Sequence, residues 1–217
     1  MMMFLVLEAV FSVIFRSDPH YRLNLIIGLF LWDFFAEATR TAMTSLHAKG
    51  FLLTKAKFPA WILVASSISN ALITLVVFAV VIAVFLAASG HAASVGALAL
   101  FAVYILGLAV VAAGIGLGTS VLFLRFRDLN QVWDVMLQAG FFVAPVIYPI
   151  GILPERFHFL LYLWAPTPFI MFSRAVLVDR VLPGPRAHAV LATGVAVILG
   201  VSVALYRQFS PGAAEYL

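Results

Sequence analysis

Long apolar stretches separated by short polar ones set the pattern of this chain, and read in order they predict six hydrophobic segments. The first is Met1–Phe15, the second Leu23–Leu46 with Asp33, Glu37 and Arg40 set into it, the third Ala60–Ala88 and the fourth Val95–Leu124. A fifth begins near Gln131 and runs into proline-rich sequence, and the last is Ala187–Tyr206. A helix needs about 20 apolar residues to cross the hydrocarbon core of a bilayer. The third and fourth segments exceed that even when tilted, whereas the first falls short and reads as a partial span. Between the segments lie a turn-like RSDPH run at 16–20, an amphipathic basic stretch HAKGFLLTKAKFP at 47–59, small residues at 89–94, RFRD at 125–128 and DRVLPGPR at 179–186.

The stretch 141–170, FFVAPVIYPIGILPERFHFLLYLWAPTPFI, breaks the pattern. Pro145, Pro149, Pro154, Pro166 and Pro168 interrupt sequence that is otherwise apolar, and each lacks the amide hydrogen a helix interior needs. The run therefore cannot be one helix. Only Glu155, Arg156 and His158 are charged or titratable between Phe141 and Trp164, so it is also too apolar to be an ordinary loop in water. Irregular backbone survives at membrane depth only where protein buries it or a wet cavity meets it. The expected form is a helix end, a short broken or re-entrant pair, and a return that includes a short helix near Phe169–Val178.

Composition agrees with this reading. The chain is 65% hydrophobic and 10% charged, and about 25% charged is usual for a soluble protein. The predicted class is an all-α integral membrane protein, one transmembrane domain over 1–217, with the broken pair between the fifth and sixth segments. With no cysteine, disulfides and thiolate metal sites are excluded. The net charge of +4 is scattered, and a nucleic-acid partner would want a basic face with stacking aromatics. Met1–Ile14 has no basic run before it and no small-residue cleavage site after it, so it does not read as a signal peptide. If Lys49, Lys55, Lys57, Arg125, Arg127 and Arg207 lie inside, then Arg16, Arg22, Arg156, Arg174, Arg180 and Arg186 lie outside. That balance does not choose an orientation, although the density of the lysine run favours placing it inside.

Candidate chemistry is sparse. Asp33, Glu37 and Arg40, continued by Thr44, fall on one face of the second segment, and ionisable groups inside a span point to partners or a watery path. The plainer reading is an internal Glu37–Arg40 pair that holds helices together, with Glu8 as a partner for one of these residues or an interface group. Lys49–Pro59 is either a short amphipathic helix offering a docking face or an interfacial loop with snorkelling lysines. Gly114, Gly116 and Gly118 suit close helix packing, since the lysine and hydroxyl of a nucleotide loop do not follow them. The five histidines show no metal-ligand spacing, and neither a nucleophile elbow nor a kinase-type set is present. Nothing here predicts an enzyme.

Five runs in order carry a resemblance: GLFLWDFFAEATRTAMTSL (28–46), KGFLLTKAKFPAWILVASS (49–67), RFRDL (125–129), APVIYPIGILPERFHFLLYLWAPTP (144–168) and YRQFSPGAAEYL (206–217). Together they cover nearly the whole chain. The chain resembles the permease subunit of type-2 ABC exporters, in the branch that exports lipid-linked polysaccharides such as O-antigen, capsule and teichoic acid. The resemblance implies a bacterial inner-membrane protein with both termini cytoplasmic and no cofactor of its own, ATP being bound by a separate ABC ATPase subunit. It implies a homodimer, with a lipid-linked glycan and membrane lipids as the other partners. Segment 47–60, with Lys49, Phe51, Lys55, Lys57, Phe58 and Pro59, would couple to the ATPase, and Arg125, Arg127 and Asp128 would form a cytoplasmic turn. Region 145–180, with Pro145, Pro149, Pro154, Pro166 and Pro168, would be an extracytoplasmic gate. Aromatic and charged candidates for the path are Trp32, Asp33, Phe34, Phe35, Glu37, Arg40, Phe141, Phe142 and Tyr148, because sugar rings present apolar faces. The chain departs from the family by opening inside the first span, as an N-terminally truncated member would, and by having Ala165 where an asparagine is common. A type-2 permease for drugs or small lipids, an ATP-independent transporter or channel, and a non-transport scaffold are the alternative classes.

Overall fold

The computed structural model describes residues 2–15, 20–50, 61–90 and 93–210. These residues form helices and no strand. In chain order the helices are α1 (Met2–Ile14), α2 (Tyr21–Ala48), α3 (Trp61–Ala88), α4 (Val95–Arg125), α5 (Leu129–Val143), a 3₁₀ turn (Ile150–Ile152), α6 (Glu155–Tyr162), α7 (Thr167–Leu177) and α8 (Pro185–Phe209). The helices overlap the expected segments closely. By length and apolarity α3, α4 and α8 can each cross a membrane, and the pair α6 and α7, bent by 112°, makes a fourth if counted as one span. Of the six expected segments, α1 and α5 are short at 13 and 15 residues, and α2 is long enough but carries Arg22, Asp33, Glu37 and Arg40.

Local chemistry explains several boundaries. Ser94 Oγ accepts a hydrogen bond from the Ala97 amide at 3.1 Å, capping α4, and Arg125 in its last turn complements the negative end of the helix dipole. Pro154 and Pro166 stand at the N-caps of α6 and α7, Pro168 is in the first turn of α7, and Pro185 opens α8. A proline at a helix start gives up an amide that would have no helical partner. Three of the five prolines that break the 141–170 pattern therefore start α-helices and Pro149 caps the 3₁₀ turn, leaving Pro145 just past the end of α5.

Backbone packing divides the chain into two compact units. The first contains Met1–Asp33, Leu75–Leu106 and Ala139–Pro185. Aromatic pairs interlock within its core: Phe30 stacks on Phe78 at 4.2 Å, Phe4 meets Phe85 edge-on at 6.0 Å, and Tyr104 meets Phe172 edge-on at 5.7 Å. Apolar side chains gain little by leaving lipid for other apolar side chains, so such interlocking contacts must hold membrane helices together.

The second unit contains Phe34–Thr74, Gly107–Gln138 and Arg186–Leu217. Here small residues bring helices close. A Cβ on Gly116 of α4 would lie 2.2 Å from the Cβ of Ala42 in α2, and one on Gly118 would lie 3.2 Å from the Cα of Ser202 in α8. Glycines two apart in a helix face nearly opposite ways, so Gly116 meets α2 while Gly114 and Gly118 meet α8. The apolar faces not used in packing, such as Ile73 on α3 and Val190, Val197 and Val201 on α8, are exposed on the chain surface as a bilayer-facing surface requires.

Candidate functional site

The end of α5 is the most unusual backbone in the first unit. Where a helix stops in apolar surroundings its last carbonyls still need hydrogen bonds, and Pro145 prevents the helix from supplying them. Side chains do so instead. The Tyr148 hydroxyl lies 3.0 Å from the carbonyl of Phe142 and 3.1 Å from that of Val143, and its proton is shared between them. Arg174 Nη1 donates to the carbonyl of Pro145, and Nη2 to that of Val146 at 2.8 Å. The Tyr21 hydroxyl donates to the carbonyl of Ile147 at 2.9 Å. Five carbonyls around one break are thus caged by three side chains.

Arg174 comes from α7 and is only 6% exposed. Its Nε donates to the carbonyl of Asn24 on α2 at 2.8 Å, so the guanidinium bonds both to α2 and to the break. Gly28 makes room for it, since a Cβ there would lie 2.3 Å from Nη2 and 3.3 Å from the Val146 carbonyl oxygen. Tyr21, Asn24 and Gly28 follow at spacings of three and four and share one face of α2. A buried arginine is tolerated only when its donors are used, and α5's carboxyl end supplies partial negative charge. Beside the cage is a polar pocket of about 220 Å³ lined by Tyr21, Asn24, Ile147, Tyr148, Arg174 and Asp179.

The expected path aromatics divide by burial. Trp32, Phe34, Phe35 and Phe141 are inside the fold, while Phe142 is 67% exposed and Tyr148 is half-buried. Trp32 packs against Phe141 at 5.8 Å and against Trp164 at 6.4 Å, and Phe141 meets Phe142 edge-on at 5.5 Å. Gly140 lies against the Trp164 indole, where a Cβ would come within 2.4 Å of the ring. Asp33 is half-buried.

In the second unit the charges pair differently from the expectation. Arg40 Nε bonds Asp134 Oδ1 of α5 at 2.8 Å, so the internal Glu37–Arg40 pair is not what the fold makes. The long arginine reaches across to α5 and leaves Glu37 exposed. In the first unit Glu8, expected to partner Asp33, Glu37 or Arg40 or to be an interface residue, pairs with Arg22 near the start of α2 at 2.6 Å. Trp133 Nε1 donates to Thr39 Oγ1 at 3.2 Å, and that hydroxyl donates to the carbonyl of Phe35 at 2.8 Å. Glu37, Thr41, Thr44, Lys49, Ser67 and Asn70 are among the residues lining a cleft of about 310 Å³. Lys49 Nζ lies 2.9 Å from Ser67 Oγ and 3.3 Å from Ser66 Oγ.

Arg125 closes α4, and Arg127 and Asp128 are exposed in the short turn before α5. Asp128 directly precedes α5, where its charge suits the helix dipole. The other expected coupling residues, Phe51, Lys55, Lys57, Phe58 and Pro59, lie outside the described residues.

The roles of Arg174, Tyr21, Asn24 and Gly28, and of Asp134 as the partner of Arg40, are not apparent in the sequence pattern. A signal was present: TPFIMFSRAVL is an apolar helix with one cation in it, and such a residue needs a built environment. Arg40 and Asp134 similarly stand as opposite charges in two apolar segments.

Residues 1–177 match the model of the family described as "ABC-2 type transporter". The chain is 25% identical over 209 residues to the O-antigen export system permease protein RfbA of Klebsiella pneumoniae, covering 96% of this chain and 80% of that protein. It is 25% identical over 207 residues to the protein of the same name from Myxococcus xanthus, covering 94% and 79%. With the family pattern running through most of its length, from α1 to the end of α7, the chain belongs to the ABC-2 type transporter family.

Proposed function

We propose that this chain is the membrane subunit of an ATP-driven exporter that carries a lipid-linked polysaccharide, of O-antigen, capsule or teichoic-acid type, across the bacterial inner membrane. The whole of 1–217 acts as one permease domain, with its C-terminus in the cytoplasm. Two copies pair, and a separate ABC ATPase subunit binds and hydrolyses the ATP. The observation that carries this reading is the family match together with relatives named as O-antigen export permeases.

Lys49, Phe51, Lys55, Lys57, Phe58 and Pro59 dock the ATPase, with the turn at Arg125, Arg127 and Asp128 on the same side of the membrane. Region 145–180 is the outer gate. Backbone held by a few side-chain bonds can rearrange more easily than a continuous helical ladder, which supports placing a moving part there. Phe142 and Tyr148 meet the sugar faces directly, Trp32 and Phe141 pack behind Phe142, and Phe34 and Phe35 are further aromatic members of the path. Asp33, Glu37 and Arg40 provide polar footing along α2.

The test is reconstitution of the chain with its cognate ABC ATPase in liposomes. ATP hydrolysis should rise with lipid-linked glycan and stay flat with small amphipathic drugs; the reverse pattern would assign the chain to a drug or small-lipid permease. Replacing Lys57 and Phe58 together should abolish co-purification with the ATPase. Intact co-purification and intact stimulation would remove the coupling role from that segment.

A further inference from the structure

We propose that Arg174 is a positioning residue that locks the backbone of the break in place, with Gly28 as the keyhole that admits its guanidinium. This rests on the reading of 145–180 as a gate, and it adds the device that keeps the gate closed.

Three elements meet at one side chain. Arg174 is anchored on α7, bonds the carbonyl of Asn24 on α2, and bonds the carbonyls of Pro145 and Val146 in the break. A displacement of any one of these elements relative to the others must therefore break at least one of its hydrogen bonds. The planar guanidinium holds its donors in a fixed fork, which lets one side chain address carbonyls lying in different directions; a lysine ammonium on a flexible stem cannot reproduce that arrangement. The carbonyls it holds belong to backbone that has no helical ladder of its own, since Pro145 carries no amide hydrogen. Within this cage, the fastening of Pro145 and Val146 depends on Arg174, with Tyr21 fastening the next residue, Ile147.

Gly28 gives the second, independent support. Glycine inside a helix is unfavourable by itself. Here it is required, because the Nη2 that bonds Val146 lies 2.3 Å from where its Cβ would be. A methyl group on α2 would displace the guanidinium while leaving the arginine and its charge present. The lock can thus be opened from either side, by removing the key or by filling the keyhole.

The chain has no cysteine, so a single introduced thiol reports unambiguously. Val146 is 1% exposed and serves through its backbone carbonyl, so Val146→Cys leaves the lock's acceptor in place. Leu86, 2% exposed in the same unit, provides a control thiol as Leu86→Cys. Each reporter is made in the full chain, kept in membranes with its ATPase and without ATP, and the rate of maleimide labelling is measured.

Arg174→Met and Gly28→Ala should each speed labelling of the Val146→Cys reporter by about tenfold or more, with Arg174→Lys between, because a buried thiol reacts only in the locally open state. Labelling of the Leu86→Cys control should not change. Equal acceleration of both thiols would overturn the proposal, since it would show that Arg174 supports the whole unit. No acceleration of either would overturn it as well. Should Arg174→Met not accumulate, Gly28→Ala carries the test, and failure of both to fold counts against a local lock. If Val146→Cys labelling rises in both variants while ATP-driven export and solute tightness are unaffected, the lock stands and the gate reading fails.

Discussion

Replacing Gly116 by alanine should loosen the second unit, and by more than the same change at Gly114 of the same helix. At Gly116 the new Cβ would sit 2.2 Å from the Cβ of Ala42 and 3.6 Å from its Cα. Ordinary contact begins near 3.4 Å, so the approach is short by more than 1 Å. Both clashing atoms are fixed directly to helix backbones, and no rotamer change can separate them. Overpacking of this kind costs about 1–3 kcal/mol, and the rigidity of both partners puts Gly116→Ala near the upper end. Exchange of a helical glycine for alanine returns about 1 kcal/mol of helix propensity, leaving a net loss of about 2 kcal/mol. For a chain of this size that corresponds to a fall in Tm of about 4–8 °C. At Gly114 the new Cβ meets Leu199 Cδ2 at 2.6 Å, the far end of a side chain that can turn away. A strained leucine rotamer costs about 0.5–1.5 kcal/mol, which the helix-propensity gain nearly offsets, so Gly114→Ala should leave Tm almost unchanged. Thermal unfolding in nanodiscs, followed by fluorescence-detected size exclusion, measures both variants. Adding Ala42→Gly to Gly116→Ala should recover at least about 1 kcal/mol of the loss, because coupling is expected between residues in direct contact. Equal losses at positions 114 and 116, or no recovery by Ala42→Gly, would show that the Gly116–Ala42 approach does not set the cost.

Loss of either member of the Arg40–Asp134 pair should lower Tm more than loss of both. The side chains are 43% and 34% exposed, so the pair itself is worth at most about 1 kcal/mol, whereas an unmatched charge beside lipid is costly. Arg40→Met, Asp134→Asn and the double variant in the same unfolding assay decide this, and a strictly additive double variant would show that the two charges do not communicate. Tyr21→Phe leaves the Ile147 carbonyl without its hydroxyl donor and should cost about 0.5–1.5 kcal/mol, read as a lower Tm with unchanged expression. Arg180 follows α7 at φ 57°, a conformation that suits glycine, so Arg180→Gly should raise Tm, by the equivalent of up to about 1 kcal/mol.

Much of this protein was legible in the order of its residues. The apolar runs of α3, α4 and α8 have to be helices of spanning length, because only a helix bonds its own backbone throughout an apolar stretch. The prolines of 141–170 excluded a single helix there, and the 112° bend between α6 and α7 has the form of the broken pair they predicted. What the prolines could not reveal was their division of labour, since a proline that ends a helix and one that starts a helix look alike until the neighbouring amides are assigned.

Partner choice was decided by the tertiary structure. Helical spacing places Glu37 and Arg40 on neighbouring positions of one helix, and spacing alone favours their pairing. The fold brings Asp134 within 2.8 Å of Arg40, and nothing in the sequence of α2 encodes that approach. Arg174 is the sharper case. It donates to backbone carbonyls of Asn24, Pro145 and Val146, and every residue has a carbonyl, so residue identities carry no mark of which carbonyls will be gripped. Residue order alone thus specifies a helical membrane protein with one broken stretch, because hydropathy and proline chemistry are local. Which side chains would close that break required the folded chain, because hydrogen bonds to backbone depend on distances between residues up to 150 positions apart.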